Sequence, residues 1–236
     1  MNQPLFSVET LLCERLHFDR HGVEIRREVL AAADARAIRS EVSLDSEELV
    51  RHGVRDLGQV FPALARLSTD ARMLAMAEQS LEARPQFVRV LFFDKTPSQN
   101  WAVSWHQDHT VTLNERADMQ GWHSWKRSGE LWHVRPPCEV LNQMVVIRVH
   151  LDPADESNGC LKVIPATHRF GILRADTLEQ IVAAEQPVPC VVGAGDAVIM
   201  RPHVLHSSAR SIRSGHRRVV HLEYSSHRLP STLRWA

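Results

Sequence analysis

His106 and Asp108 stand two residues apart in Ser104-Trp105-His106-Gln107-Asp108-His109. On an extended strand, residues so spaced point to one face, so an imidazole and a carboxylate can close on one cation together. Far downstream, His203 and His206 lie in Met200-Arg201-Pro202-His203-Val204-Leu205-His206-Ser207-Ser208. Two histidines and a carboxylate on one side of an ion leave the opposite positions open. This is the ligand set of non-haem iron(II) oxygenases. The third ligand must come from a distant strand, because short-range spacing cannot surround one side of an ion. His206 is preferred over His203, since Ser207-Ser208 and a basic strand follow it. If His206 faces inward, so does Ser208, which can donate to a bound carboxylate.

Such a centre needs a grip on its co-substrate. A guanidinium at the base of a barrel holds the far carboxylate of a keto acid through two parallel hydrogen bonds. Arg217 stands eleven residues after His206, with Arg218 next to it. Neighbours on a regular strand point opposite ways, and spacing does not decide which of the two faces the ion.

The rest of the chain must position these groups. Residues 1–86 read as mostly helical. Residues 31–39 are rich in helix formers, Pro62 sits at a helix start, and Ser68-Thr69-Asp70 caps a helix with an apolar stripe. A short strand is expected around 23–25. From Phe87 the pattern becomes short, β-branched and aromatic, with strands at 87–93, 101–106, 144–151, 160–164, 188–192, 197–200 and 218–224. Asn158-Gly159 reads as a hairpin turn joining the strand ending at Leu151 to the one starting at Cys160. Residues 174–186 suit a short crossover helix. Residues 109–138, with Trp122, Trp125 and Trp132, show no clean period and read either as a long loop or lid over the metal or as a surface excursion whose tryptophans pack on the sheet. A single domain over residues 1–236 is expected: mainly β with flanking helices, a jelly roll with a helical N-terminal part.

Composition excludes several alternatives. With 28 basic and 28 acidic residues there is no net field to gather nucleic acid or an anionic membrane. No window suits a membrane span, and Met1 to Phe6 show no signal-peptide pattern, so a cytoplasmic protein is expected. Cys13, Cys138, Cys160 and Cys190 form no C-x-x-C pair and read as free thiols. Fourteen histidines raise the prior for a metal site.

The chain resembles the phytanoyl-CoA dioxygenase (PhyH) family. The resemblance is carried by Leu91-Phe92-Phe93-Asp94-Lys95-Thr96-Pro97, Trp105-His106-Gln107-Asp108, and Asn158 through His168. It continues in Gly195-Asp196, His206-Ser207-Ser208 and Gly215-His216-Arg217-Arg218. It covers residues 87–225 in order. It implies a double-stranded β-helix and an Fe(II)- and 2-oxoglutarate-dependent dioxygenase. Such an enzyme uses O2 to oxidise a small organic molecule and releases succinate and CO2. It implies iron ligands at His106, Asp108 and His206, with 2-oxoglutarate held by Arg217 and Ser208. Leu91, Phe93 and Arg148 are then candidates for the pocket wall. Arg148 is a departure, being a charge where an apolar residue is common, and leaves room for a second anionic anchor. Halogenating relatives lack the carboxylate, so Asp108 points to hydroxylation or another oxidation. Two alternatives remain: a non-catalytic metal- or ligand-binding jelly roll, and a cupin-type enzyme that does not use 2-oxoglutarate.

Among the other residues, Lys95 is expected to be solvated, and His109 and His168 structural. His150 is expected to share a face with Arg148. Substrate identity and oligomeric state are not legible.

Overall fold

The computed structural model describes residues 16–42 and 61–235. Cys13 and the parts of the helical N-terminal expectation that fall on 1–15 and 43–60 lie outside the described residues.

A five-stranded antiparallel sheet, in the order β1-β10-β7-β12-β2, forms the larger wall. Its strands are β1 (Val23–Arg26), β2 (Gln86–Lys95), β7 (Met144–His150), β10 (Ala197–Met200) and β12 (Arg217–Ser225). A four-stranded sheet, in the order β3-β11-β8-β9, faces it. It comprises β3 (Val103–His106), β8 (Leu161–Ile164), β9 (Val188–Pro189) and β11 (Leu205–Ser208). Residues of both sheets line one pocket, as a jelly roll requires.

The larger sheet is buried on both faces, and side-chain alternation decides what each face does. On β2, Val90 and Phe92 point to the helices, while Leu91, Phe93 and Lys95 line the pocket. On β7, Val145, Ile147 and Val149 join the helix-side cluster, while Val146 packs between the sheets and Arg148 lines the pocket. The helix layer is α1 (Phe18–His21), α2 (Ala32–Val42), α3 (Pro62–Ser68) and α4 (Ala71–Leu81). Pro62 opens α3, and the Asp70 side chain accepts the Arg72 N–H at the start of α4. Leu64, Leu67, Met73 and Ala77 press this layer onto the sheet. Tyr224, fully buried, donates its hydroxyl to the Ser68 carbonyl at 2.9 Å, so the aromatic joins strand to helix without an orphaned polar group.

Two expectations are corrected. The strands at 144–151 and 160–164 do not form a hairpin: β7 pairs with β10 and β12, and β8 with β11 and β9. Asp155 and Asn158 instead cap a short 3-10 turn ended by Gly159, and the chain crosses to the other sheet. The Asn-Gly signal marks a left-handed residue correctly but does not say which strands it joins. Residues 109–138 are also not a long loop over the metal. They form a third antiparallel sheet, in the order β4-β6-β5, from β4 (Val111–Leu113), β5 (His123–Ser128) and β6 (Leu131–Arg135). Trp122 and Trp125 pack on a cluster with Val111, Leu113 and Leu233, and no residue of this segment lines the pocket. Its period was hidden because β5 is exposed along almost its whole length. The remaining helices are α5 (Cys138–Leu141) and α6 (Ala175–Ala184), the latter where a crossover helix was expected. Cys138, Cys160 and Cys190 are free thiols. No helix among the described residues is long and apolar enough to cross a membrane.

Gly159 adopts φ +72°, and a Cβ there would lie 2.2 Å from the Ala209 carbonyl oxygen. Gly159→Ala is therefore expected to destabilise by at least about 1–2 kcal/mol from the left-handed backbone alone. The collision, which cannot relax without moving backbone beside Ser208, adds to this. A denaturant midpoint equal to that of the parent would contradict the assignment.

Candidate active site

The pairing of β11 with β3 sets His206 directly opposite His106. Their ring centroids are 4.2 Å apart. Asp108, just beyond β3, is tied down by its own N–H, which donates to the Pro202 carbonyl at 2.8 Å. Its carboxylate then spans the two rings, with one oxygen 3.5 Å from His106 Nε2 and the other 3.5 Å from His206 Nε2. Gln107, between them, is buried and spends its whole amide on this loop. Its NH2 donates to the carbonyls of Gly171 and His203, and its oxygen accepts from the Leu173 N–H.

Each histidine is oriented in the same way. Nδ1 of His106 lies 2.8 Å from the Ser104 carbonyl, and Nδ1 of His206 lies 2.8 Å from the Val204 carbonyl. A carbonyl can only accept, so Nδ1 carries the proton and the Nε2 lone pair is free to bind a cation. All three donor atoms lie within 4.8 Å of one another, and they form the one such group among the described residues. Three donors about 2 Å from a shared ion lie about 3 Å apart, so the set fits a metal after small rotations. Burial opposes ionisation of Asp108, but His206 and His106 outweigh it and hold the carboxyl well below its usual range. Burial lowers His206 to about 4, against the pull of Asp108. His106 is opposed by burial yet raised overall by Asp108.

The other end of the pocket is cationic. Arg217 is buried, and its Nε and Nη1 have no partner. Its Nη2 lies 3.5 Å from Ser208 Oγ. Arg218 points to the opposite face, where Asp152 takes it at 2.8 Å, so the strand itself separates the two arginines. Contrary to the expectation that it donates to a bound carboxylate, Ser208 Oγ donates to the Gly159 carbonyl, so its one proton is committed and it orients cations by accepting from them. Leu91, Phe93 and Arg148 join Arg217, Ser208 and the triad in lining this one pocket, so every expected site residue is brought together. Of the other residues weighed, His109, His150, His168 and His203 do not line it.

Lys95 departs from expectation. It is 1% exposed, lines the pocket, and donates to Ser208 Oγ at 2.8 Å and to the Ala209 carbonyl. The step of two from Leu91 and Phe93 put it on the inner face; the general preference of lysine for water hid that. His221 was also missed, although it shares the inner face of β12 with Arg217.

Burial, then Arg217 and Arg148, push Lys95 down to about 7. Between about pH 7 and the unperturbed value of 10.5 the unfolded chain binds more protons than the native one, so stability rises with pH across that window. Lys95→Met is expected to lose up to about 1.4 kcal/mol of this rise per pH unit. Urea midpoints at neutral and alkaline pH for both proteins read it directly; identical pH slopes would contradict it.

Fold and site together define a jelly-roll protein with a 2-His-1-carboxylate cluster at one end of its pocket. The chain belongs to the phytanoyl-CoA dioxygenase (PhyH) family, whose model matches residues 12–220. Phytanoyl-CoA dioxygenase 1 of Oryza sativa subsp. japonica is 22% identical over 173 residues, 69% of this chain and 52% of that protein. The chain thus spans about half the length of that curated relative. AviO1 from Streptomyces viridochromogenes Tue57 has a similar fold, with TM-score 0.66, 21% identity, and coverage of 90% of this chain and 93% of that one. So does the epimerase SnoN in complex with Fe3+, alpha ketoglutarate and nogalamycin RO, with TM-score 0.69, 17% identity, and coverage of 92% and 82%.

Proposed function

We propose that this protein is an Fe(II)- and 2-oxoglutarate-dependent oxygenase acting on a small organic molecule. His106, Asp108 and His206 hold the metal, and Arg217 holds the distal carboxylate of 2-oxoglutarate. One observation carries the reading: a three-donor cluster shares a single pocket with a buried guanidinium that has two of its three nitrogens unpartnered and pairs with no described carboxylate. A buried cation left without a counter-charge is costly, so the pocket is built for an anionic occupant. Iron with 2-oxoglutarate supplies the activation of O2, with succinate and CO2 as by-products.

The protein's own residues do the rest. The Ser104 and Val204 carbonyls fix the imidazole tautomers, and Gln107 locks the loop between the first two ligands. Asp108 stays ionised and contributes the one negative charge of the ligand set. Leu91, Phe93 and Leu161 supply the apolar wall that keeps bulk water from the reacting atoms.

The test is succinate formation by purified protein given Fe(II), 2-oxoglutarate and air. Succinate should appear only when all three are present. None under any divalent metal would favour a binding protein or a keto-acid-independent enzyme. Because SnoN is an epimerase with this fold, product searches should include unchanged mass as well as the gain of one oxygen.

A further inference from the structure

Arg148 projects from the middle of β7, at the centre of the larger sheet, into the pocket. It is 7% exposed, forms no ion pair with any described carboxylate, and leaves its Nε without a partner. Its guanidinium is nevertheless held firmly. One Nη donates to His221 Nδ1 at 2.8 Å, and the Phe93 ring lies beneath its carbon at 5.5 Å. His221, accepting at Nδ1, must carry its proton on Nε2, which donates to Glu223 at 3.2 Å. Glu223 is in turn matched by Arg89 at 2.7 Å. This buried chain positions Arg148 without cancelling its charge.

A count of charges shows what is missing. Arg89 balances Glu223. A divalent metal on Asp108 leaves one positive charge, which the metal-side carboxylate of 2-oxoglutarate balances. The distal carboxylate balances Arg217. Lys95 is held towards its neutral form, and both its acceptors are uncharged oxygens. Among the described residues that line the pocket, Arg148 is then the permanently charged group left without a counter-ion, facing the space that remains for substrate. Such a charge is costly unless an anion arrives to pair with it.

We propose that Arg148 anchors a carboxylate on the substrate, so that the enzyme acts on a small carboxylic acid. This rests on the iron and 2-oxoglutarate reading of the site. One negative charge matches this one guanidinium, which favours a carboxylate over a phosphate dianion. The planar guanidinium, braced on Phe93, presents its remaining N–H groups in the fork that carboxylates accept.

The test is calorimetric and needs no turnover. Protein loaded with Ni(II) and saturated with 2-oxoglutarate is titrated with propionate and benzoate, with propionamide and benzamide as neutral isosteres, and with inorganic phosphate. The carboxylates should bind the parent protein and the amides should not. Arg148→Met should weaken carboxylate binding by about tenfold or more, with Arg148→Lys recovering part of it, while 2-oxoglutarate affinity moves less than about threefold. Equal binding of acids and amides would overturn the proposal, as would tighter binding of phosphate. So would an Arg148→Met variant that loses 2-oxoglutarate as severely as Arg217→Leu, for the guanidinium would then belong to the keto acid. Failure of the metal-loaded parent to bind 2-oxoglutarate at all would sink the underlying reading and this proposal together, a result distinct from the others.

Discussion

Asp108→Ala is expected to abolish metal binding and turnover while the barrel remains folded. The carboxylate is the only anionic member of the donor cluster, and it spans the two imidazoles at 3.5 Å from each. Without it, two neutral nitrogens face a divalent ion with nothing to offset its charge. Loss of an outer-sphere partner of a metal ligand costs about 10–100-fold in affinity, and loss of the ligand itself must exceed that. Turnover should fall by about a thousandfold or more, or ~4 kcal/mol. The fold should survive because the loop is held by backbone and by Gln107, not by this side chain: the Asp108 N–H on Pro202 and the Gln107 bonds all persist. Equilibrium dialysis with Fe(II) under anaerobic conditions, beside a thermal melt, separates the two effects. A variant that melts like the parent yet still binds one iron would remove Asp108 from the centre.

Arg217→Leu carries the second large expected effect, with opposite signs for binding and stability. Truncating one partner of a buried charge pair costs about 2–5 kcal/mol, which here is roughly a thirtyfold to several-thousandfold rise in the dissociation constant for 2-oxoglutarate. In the ligand-free protein the same guanidinium is buried with two nitrogens unpartnered, and burial followed by Arg148 pushes it down to about 10. Replacing an uncompensated buried cation by an apolar side chain is neutral or stabilising. The variant should therefore melt at or above the parent temperature without ligand, and gain far less from added 2-oxoglutarate. Parent-like affinity would move the grip to Lys95 or Arg148. A steep loss of ligand-free stability would mean that Arg217 holds the fold.

How much of this was legible depends on the distance over which each signal acts. Spacing within one strand was readable: His206 with Ser208, and the inner face carrying Leu91 and Phe93, follow from a period of two, whereas Asp108 lies past the end of β3 and meets the two imidazoles from a loop pinned by its own N–H on Pro202. Pairings between distant strands were not. Nothing local states that His206 falls opposite His106, or that β7 and β8 part into different sheets; those are outcomes of closing a jelly roll. The choice between Arg217 and Arg218 turns on the same point, for it is Asp152, far away in sequence, that takes Arg218. Lys95 was misjudged because a lysine is usually solvated, and here the pocket's need for donors overrides that preference. The sheet over 111–135 escaped because β5 has no buried face to impose alternation.

The most direct measurement is diffraction from crystals grown with Fe(II) and 2-oxoglutarate without oxygen, with anomalous data at the iron edge. One peak should lie within bonding distance of His106 Nε2, His206 Nε2 and an Asp108 oxygen, with the keto acid's far carboxylate on Arg217. Iron bound elsewhere, or a keto acid seated away from that guanidinium, would contradict the account.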